Sequence, residues 1–356
     1  MTNAPFLPDS ALTLRDGSDP AAIAEAANRI RAGQLVAFPT ETVYGLGADA
    51  SNDAAVAKIF KAKGRPANHP LIVHVANSAQ AVDYAQGIAP FAERLMAAFW
   101  PGPLTLILPR RPGIASACAG GQDSIGLRCP AHPVALALIA AAGTGIAGPS
   151  ANRFGRISPT AAMHVQQELQ GRVGAEEGGL LILDGGLAAV GIESSIVDCT
   201  RGQPVLLRPG MLSRAALTRA CGQEVLVQPA VNDRKAGSEL SVIQPAPRAP
   251  GMLTSHYAPQ APLRLMAGPM LQTALDLLES DAPRLAVYAR RPIKSRANNI
   301  LIRRMPDDAA AAAQQLFATL RAFDAQGVQL IWVENVPETP EWDGVRDRLT
   351  RAAAAG

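Results

Sequence analysis

The chain is poor in cysteine, in aromatic residues and in charge. Only four cysteines, at positions 118, 129, 199 and 221, occur in 356 residues, too few and too scattered for a disulfide framework or a zinc knuckle. Such cysteine usage fits a reducing, cytoplasmic environment. Aromatic residues make up 4% of the composition, charged residues make up 18%, and the net charge is only +3. The composition therefore lacks the strong positive charge and the aromatic stacking groups typical of many nucleic-acid-binding proteins.

Long apolar runs are also missing. The longest, Val134 to Ala142, has nine residues, whereas a membrane-spanning helix needs about 20. The first ten residues contain Asp9 and show no basic start followed by an apolar run, so no secretory signal is predicted. We therefore expect a cytoplasmic protein that has no membrane partner.

What the sequence does contain indicates a globular α/β protein of two domains. Hydrophobic residues reach 48%, and 31 glycines and 29 prolines indicate rigid, turn-rich loops. Apolar periodicity in the first part predicts more strands than helices, without strict alternation, which favours a mixed sheet with flanking helices. Its predicted strands are 35–38, 71–75, 104–109, 125–128, 180–183, 195–198 and 205–208, and its predicted helices are 21–31, 53–63, 90–99, 133–142 and 160–169.

The periodicity changes after residue 218. Residues 219–262 are rich in proline and glycine and read as a linker between a catalytic domain, 1–218, and a C-terminal domain, 263–356. Beyond the linker, strands and helices alternate, which predicts a smaller, mostly parallel α/β domain of three layers. Its predicted strands are 263–266, 284–289, 299–303 and 328–333, and its predicted helices are 270–280, 308–326 and 342–355.

Common catalytic motifs are absent or out of context. The GxGxxG match at 143–148 follows a predicted helix, and the related match at 45–50 has a basic stretch where a dinucleotide fold would need an acidic residue. No phosphate-binding P-loop and no GxSxG nucleophile motif occur. The five histidines are spread over nearly 200 residues, so a zinc site is not predicted.

Four segments instead carry polar groups that suit an anionic ligand. Residues 38–47 end a buried strand in hydroxyls, a carboxylate and glycines, and residues 61–71 bring three cations together around a turn. Residues 148–160 are dense in hydroxyl and amide groups, and residues 191–210 end a strand on an arginine. Each segment alone could be a surface turn. Together they supply the guanidinium, ammonium, hydroxyl and backbone donors that bind phosphates and carboxylates.

At these residues the chain resembles the YrdC-like family, and its two-domain layout is similar to the long form of that family. The resemblance runs from about Ala21 to Tyr257. Its motifs, in the family order, are PTETVYGLG, KGRP followed by HPLIVHV, WPGPLT, GLRCPAHP, PSAN, ESSIVD and LLRPG. The family condenses L-threonine, bicarbonate and ATP into threonylcarbamoyl-adenylate and pyrophosphate. Partner proteins then transfer the threonylcarbamoyl group to the adenosine next to the anticodon of tRNAs that read codons beginning with A.

The resemblance assigns roles to individual residues. Those expected in catalysis are Lys63, Arg65, Ser150 and Asn152. Those expected to hold threonine are Thr42, His74, Arg128, the backbone of Gly148, and Ser194. Those expected to hold ATP are Arg65, His69, Ser124, Ser150, Ser158, Arg208 and Tyr257. Tyr257 lies in a linker segment, 250–259, that is expected to fold back over the site as a lid.

The implied chemistry fits these residue types. A threonine carbamate would attack the α-phosphorus of ATP, which requires positioning and charge neutralisation more than a covalent nucleophile. No carboxylate cluster suggests a metal cage, so Mg²⁺ is expected to arrive on the ATP phosphates. Lys63 is expected to be exposed to the pocket. Two other functions remain open on the sequence: an RNA-binding module, and another carbamoyl or adenylyl transferase on the same fold.

Overall fold

The first part of the chain is built on a mixed sheet of eleven strands. A computed structural model describes residues 12–227, 246–279 and 282–355, so the middle of the predicted linker and the first eleven residues lie outside the described residues. The strands are β1 (Leu12–Asp16), β2 (Leu35–Phe38), β3 (Gly45–Asp49), β4 (Ile72–His74), β5 (Leu104–Pro109), β6 (Ser124–Arg128), β7 (Ile146–Ala147), β8 (Leu180–Asp184), β9 (Ser195–Asp198), β10 (Val205–Arg208) and β11 (Leu226–Val227). Their order across the sheet is β1-β8-β2-β3-β7-β4-β6-β5-β9-β10-β11.

Helices cover both faces of this sheet. They are α1 (Pro20–Arg31), α2 (Asp53–Lys63), α3 (Pro90–Phe99), α4 (Ser116–Ala119), α5 (Pro133–Ala142), α6 (Ala162–Leu169) and α7 (Arg214–Cys221). Strand β2 shows why two faces form. Leu35 and Ala37 pack into the core that contains α2, whereas Val36 and Phe38 pack into the core formed with α1 and α5, because successive side chains of a strand point to opposite faces.

Parallel and antiparallel pairs alternate irregularly, which confirms the predicted mixed sheet. Strand β4 pairs in parallel with β6, and β6 pairs antiparallel with β5. The glycine-rich segment 45–49, which the sequence presents as a possible nucleotide-binding turn, is instead strand β3. A Cβ on Gly47 would stand 2.9 Å from Phe38 and from Ile146. Glycine therefore occurs within this strand because neighbouring side chains press closely against its backbone.

The predicted domain boundary after residue 218 falls inside a helix. Helix α7 runs from Arg214 to Cys221, and its Leu217 and Cys221 are buried in the first core. Strand β11 then pairs with β10. The first unit therefore extends to Val227, because α7 continues to bury apolar side chains past the point where the sequence becomes rich in turn residues.

The C-terminal unit is a parallel four-stranded sheet, as the sequence predicts. Its strands are β12 (Leu263–Met266), β13 (Leu285–Ala289), β14 (Ile300–Arg304) and β15 (Leu330–Glu334), in the order β12-β15-β13-β14. Its helices are α8 (Gly268–Asp276), α9 (Ala309–Ala325) and α10 (Asp343–Ala353). Leu285 and Val287 pack with α8, whereas Ala286 and Tyr288 pack with α9 and α10, which makes three layers. Among the described helices, none has the length and hydropathy that crossing a bilayer requires.

Candidate active site

A polar pocket lies where the chain enters or leaves six strands of the first sheet. Its walls come from the segments next to β2, β4, β6, β7, β9 and β10, and from residues 250–257 of the predicted linker. The residues assigned from the sequence that line it are Thr42, Arg65, His74, Arg128, Gly148, Ser150, Ser194, Arg208 and Tyr257. Positions 215 residues apart therefore meet in one cavity, and the described part of the linker forms one of its walls.

Arg128 is fixed on three sides. It ends β6 directly beside His74, the last residue of the parallel strand β4. Its Nε donates to the Gly102 carbonyl at 3.2 Å, its Nη1 donates to Thr42 Oγ1 at 2.8 Å, and its Nη2 lies 2.7 Å from Glu41 Oε1. A guanidinium carries five N–H donors. Hydrogen bonds engage Nε and one N–H of Nη1, whereas Nη2 forms an ion pair without a hydrogen bond, so N–H groups remain to bind an incoming carboxylate in an orientation that the protein has already set.

His74 is a neutral imidazole that donates from Nε2 and can accept at Nδ1. Its Nε2 lies 3.1 Å from the carbonyl oxygen of Gly148, so Nε2 carries the proton and donates it. Burial, reinforced by the positive charge of Arg128, lowers the pKa of His74 to about 3. Its Nδ1 has no hydrogen-bond partner among the described residues and can accept one from a ligand. A Cβ at position 148 would come within 2.7 Å of the His74 ring, so glycine is needed there.

Lys63 is buried, which contradicts the expectation that it is exposed to the pocket. Only 3% of the residue is exposed, and its Nζ donates to the carbonyl oxygens of Ser150 and Asn152. Burial, helped by the charge of Arg65, lowers the pKa of the Lys63 ammonium well below its ordinary value. The sequence could not show this, because the two carbonyls lie almost 90 residues away. Lys63 thus ties the loop after β7 to the end of α2.

We expect Lys63→Met to fold and to lose at least about tenfold in turnover, because hydrogen bonds to a charged donor contribute about 1.5–3 kcal/mol and these two fix the Ser150 loop. Steady-state kinetics measures the loss. Lys58→Met is the matched control, since Lys58 lies on the same helix and its Nζ donates to the Gly33 carbonyl outside the pocket. If Lys63→Met and Lys58→Met have equal turnover, Lys63 only caps its helix and does not support the reaction.

Arg208 joins the strand end to the linker. Its Nε donates to the Ser194 carbonyl at 3.1 Å and its Nη2 to Ser194 Oγ at 3.3 Å. Its Nη1 donates to the Pro250 carbonyl at 3.0 Å and lies 3.5 Å from the Tyr257 hydroxyl. One guanidinium at the end of β10 thus contacts the loop before β9 and the segment that covers the pocket. Burial lowers the pKa of Arg208, yet arginine stays charged near neutral pH.

Glu193 is an anion beside these cations, and the sequence did not single it out. Burial acts to raise the pKa of its carboxyl, but the guanidinium groups of Arg348 and Arg208 and the Ser158 hydroxyl lower the pKa below its ordinary value. Ser158 Oγ donates to Glu193 Oε1. Ser158 therefore supports the pocket wall through Glu193 and does not itself line the pocket.

A second cavity of about 250 Å³ adjoins the pocket and shares Arg65, Gly251 and His256 with it. His69 lines this second cavity. Around it, Phe154 forms edge contacts with His69 and His256 at ring-centroid distances of 5.3 and 6.0 Å, and the Arg65 guanidinium lies 5.4 Å from the Phe154 ring. Aromatic and guanidinium groups of this kind stack well on a nucleotide base.

Like Lys63 and Ser158, the assigned residues Ser124 and Asn152 line neither cavity. Ser124 begins β6, four residues from Arg128, which places it about 13 Å along the strand at a rise near 3.3 Å per residue. Asn152 uses its Nδ2 to donate to the carbonyls of Arg153 and Arg156, while its Oδ1 has no partner among the described residues. No group of three or more metal-binding side chains occurs in the described ranges.

Glu41 and Arg348 complete the set that sequence reasoning missed. Glu41 lies inside the first polar segment, but nothing in the sequence pairs it with Arg128, 87 positions away. Arg348 belongs to the other unit. A buried acid next to a strand end was a weak signal for Glu41, whereas no local pattern distinguishes Arg348 from the other arginines of α10.

Buried histidines should make the fold sensitive to acid. Burial lowers the pKa of both His74 and His256 to about 3, against 6.5 for a solvated imidazole. Below pH 6.5 the unfolded chain therefore binds protons that the folded chain cannot, so stability falls as the pH falls. We expect each ring to remove about 1.5 kcal/mol of unfolding free energy between pH 6.5 and pH 5.

Urea denaturation at a series of pH values tests this expectation. His256→Gln should reduce the loss of stability between pH 6.5 and 5 by about 1.5 kcal/mol, the share of one ring, whereas His69→Gln, which changes a less buried ring, should keep most of the loss. A wild-type stability that stays constant over that range would contradict the assignment of neutral, buried imidazoles.

Comparison with known proteins places the chain in a family. The model of the Sua5, YciO and YrdC family, described as "Telomere recombination", matches residues 28–210. A second model, described as "Threonylcarbamoyl-AMP synthase, C-terminal domain", matches residues 212–354. The two matches meet at residue 211, just before α7 begins.

Full-length relatives share both units. Threonylcarbamoyl-AMP synthase of Pyrococcus abyssi is 38% identical over 334 residues, covering 92% of this chain and 93% of that protein. The Bacillus subtilis protein of the same name is 39% identical over 343 residues, covering 93% and 92%. A crystal structure of P. abyssi Sua5 complexed with L-threonine superposes with a TM-score of 0.83 at 36% identity and covers 97% of both chains. The chain therefore belongs to the Sua5–YciO–YrdC family and has the long, two-domain Sua5 form.

Proposed function

We propose that this protein synthesises L-threonylcarbamoyladenylate from L-threonine, bicarbonate or CO2, and ATP, with release of pyrophosphate. The single observation that carries the proposal is the pocket itself. It places a fixed guanidinium and a neutral imidazole, Arg128 and His74, in one cavity with the buried cations Arg65 and Arg208. The first pair suits an amino acid, and the second pair suits a triphosphate. Relatives that share both units carry the name threonylcarbamoyl-AMP synthase.

Threonine binds at the β4 and β6 ends. Its carboxylate accepts hydrogen bonds from the remaining N–H groups of Arg128, while Thr42 orients that guanidinium. The unpartnered Nδ1 of His74 accepts a hydrogen bond from the amino acid, and the close approach of the Gly148 backbone shapes the wall. Ser194, held by Thr105 at 2.8 Å, completes this half of the pocket.

ATP binds on the side of Arg65, Arg208 and Tyr257. The threonine amine and bicarbonate give a carbamate and water, and a carbamate oxygen then attacks the α-phosphorus while pyrophosphate leaves. Charge accumulates on the phosphate oxygens during this step. Arg65 and Arg208 supply positive charge there from buried positions, where such interactions are stronger than in bulk water. Ser150 lies on the loop that Lys63 holds in place.

Mg²⁺ bound to the phosphates of ATP would supply positive charge that offsets theirs, and we assign it no dedicated protein ligand. The described residues hold no group of three or more metal-binding side chains, and Asn152, whose Oδ1 has no partner among them, does not line the pocket. That donor set fits a metal held chiefly by phosphate and water, as Mg²⁺ prefers. Because the proposed reaction is an attack on the α-phosphorus of ATP, we place the enzyme among the nucleotidyltransferases.

The adenylate is a reactive mixed anhydride, so its threonylcarbamoyl group must pass to an acceptor. We propose that partner proteins transfer it to the adenosine next to the anticodon in tRNAs reading codons that begin with A, and that tRNA contacts this protein only indirectly. These reactions take place in the cytoplasm. The low net charge of +3 is consistent with the absence of a strong RNA-binding role.

Pyrophosphate release tests the proposal. We expect release from ATP only when L-threonine and bicarbonate are both present. Release with threonine alone would indicate a different adenylyl transferase, and release with bicarbonate plus another amine would indicate a different carbamoyl substrate. RNA binding without any pyrophosphate release would favour the RNA-binding module.

A further inference from the structure

Arg348 stands out as a buried charge at the junction of the two units. It lies on α10 of the C-terminal unit, and its side chain is 0% exposed. Removing a guanidinium from water costs several kcal/mol unless every donor finds a partner. The position of those partners therefore shows what the side chain holds together.

The partners lie mainly in the first unit. Arg348 Nε donates to Glu193 Oε2 at 2.8 Å, and its Nη2 donates to the Glu193 carbonyl at 3.0 Å. Its Nη1 donates to the Pro209 carbonyl at 2.8 Å and to Asp347 of its own helix at 2.7 Å. The side chain thus forms hydrogen bonds with both the loop before β9 and the turn after β10.

Both of these loops belong to the pocket. Glu193 and its neighbour Ser194 line it, and Pro209 follows Arg208, which lines it too. The Arg348 guanidinium also lies 5.2 Å from the ring of Tyr257, which stacks at 5.7 Å on Phe317 of α9. Tyr257 has a φ of +62°, a left-handed conformation that costs free energy unless the surroundings enforce it. Two residues of the C-terminal unit thus enforce the shape of the covering segment.

We infer that Arg348 is a positioning residue for the reaction, through which the C-terminal unit completes the nucleotide half of the pocket. This inference rests on the proposed synthesis of the adenylate. Arg348 neutralises the Glu193 carboxylate, which would otherwise repel the triphosphate, and it holds Tyr257 in place beside Arg208. Arg348 contacts neither Arg128 nor His74, which are proposed to bind the threonine carboxylate and amine, so loss of Arg348 should act mainly on ATP.

Steady-state kinetics of Arg348→Met in the full chain tests the inference. We expect KM for ATP to rise by at least about tenfold, corresponding to about 1.4 kcal/mol, while KM for threonine changes by less than about twofold. Arg348→Lys keeps the charge and should recover part of the ATP affinity. Should Arg348→Met not fold, the Lys variant must still show the selective rise in KM for ATP.

The double variant Arg348→Met with Glu193→Gln separates positioning from general stability. Removing the unpaired carboxylate should bring KM for ATP back toward its value in Glu193→Gln alone, whereas a purely structural role predicts a double variant at least as impaired as Arg348→Met. If KM for ATP in the double variant stays at least as high as in Arg348→Met, the inference is overturned.

Arg321→Met is the matched control at the same junction. Arg321 Nη1 donates to Glu168 Oε1 at 3.0 Å, and its Nη2 donates to the Ile157 carbonyl; neither acceptor lines the pocket. We expect its KM for ATP to stay near the wild-type value. An equal rise in both variants would show that undocking of the units is responsible and would overturn the inference. A wild-type chain that makes no adenylate would instead refute the proposed function.

Discussion

Arg128→Ala is expected to raise KM for threonine by about ten- to a hundredfold while KM for ATP changes little. A charge-assisted hydrogen-bonded pair contributes about 1.5–3 kcal/mol, which corresponds to that range of affinity. Arg128 is 4% exposed and is held by Thr42, Gly102 and Glu41. It is therefore preorganised for a carboxylate and pays little entropy on binding.

Two comparisons make this expectation specific. Arg94→Ala removes an exposed arginine, whose Nε donates to the Cys221 carbonyl outside the pocket, and should leave both KM values near wild type. Arg128→Lys keeps the charge but loses the planar pair of N–H donors that a carboxylate can accept together. Its KM for threonine should therefore lie between the values of the wild type and Arg128→Ala. If Arg128→Ala weakens threonine and ATP equally, the guanidinium does not bind the amino-acid carboxylate.

Tyr257→Ala is expected to remove most synthesis, by about a hundredfold, and to release more hydrolysed product for each ATP consumed. The ring is 1% exposed, stacks on Phe317 and lines the pocket. Truncating a buried aromatic side chain costs about 3–5 kcal/mol of packing, and here the lost packing opens the pocket to water. The ratio of adenylate to pyrophosphate, followed by chromatography, measures how much adenylate is lost to hydrolysis.

Tyr257→Phe is the matched control for the lid. It keeps the ring and loses only a hydroxyl that lies 3.5 Å from Arg208 Nη1, so synthesis should stay within about threefold of wild type. Both variants should still bind threonine. If Tyr257→Ala makes adenylate as fast and as cleanly as the wild type, the segment around it is a passive tether.

The strands that support the site could be predicted, because a local sequence pattern indicates each of them. Short apolar runs ended by proline or arginine indicated β2, β6 and β10, and the structure places them within a residue of the predicted bounds. Strand β3 was missed because its glycines serve close packing against Phe38, a contact that depends on the fold. Strand β1 was missed although Leu12-Thr13-Leu14-Arg15 alternates, a signal that was present in the sequence.

The ionic partners could not be predicted, because they depend on contacts between distant segments. Lys63 at a helix end before glycine looks like an exposed cap, and only the folded chain brings the Ser150 carbonyl to its ammonium. The Arg348 to Glu193 pair spans 155 positions and crosses from one unit to the other. Sequence patterns report which residues are apolar or able to turn; they carry no information on which buried charge meets which.

Isotopic labelling of the product tests the central claim most directly. The full chain is incubated with ¹³C-bicarbonate, ¹⁵N-threonine and ATP, and the nucleotide product is analysed by mass spectrometry at once, before it hydrolyses. The account predicts one adenylate that carries both labels, formed in step with pyrophosphate. An adenylate that carries ¹⁵N without ¹³C would show direct activation of the threonine carboxylate and would contradict the carbamate route.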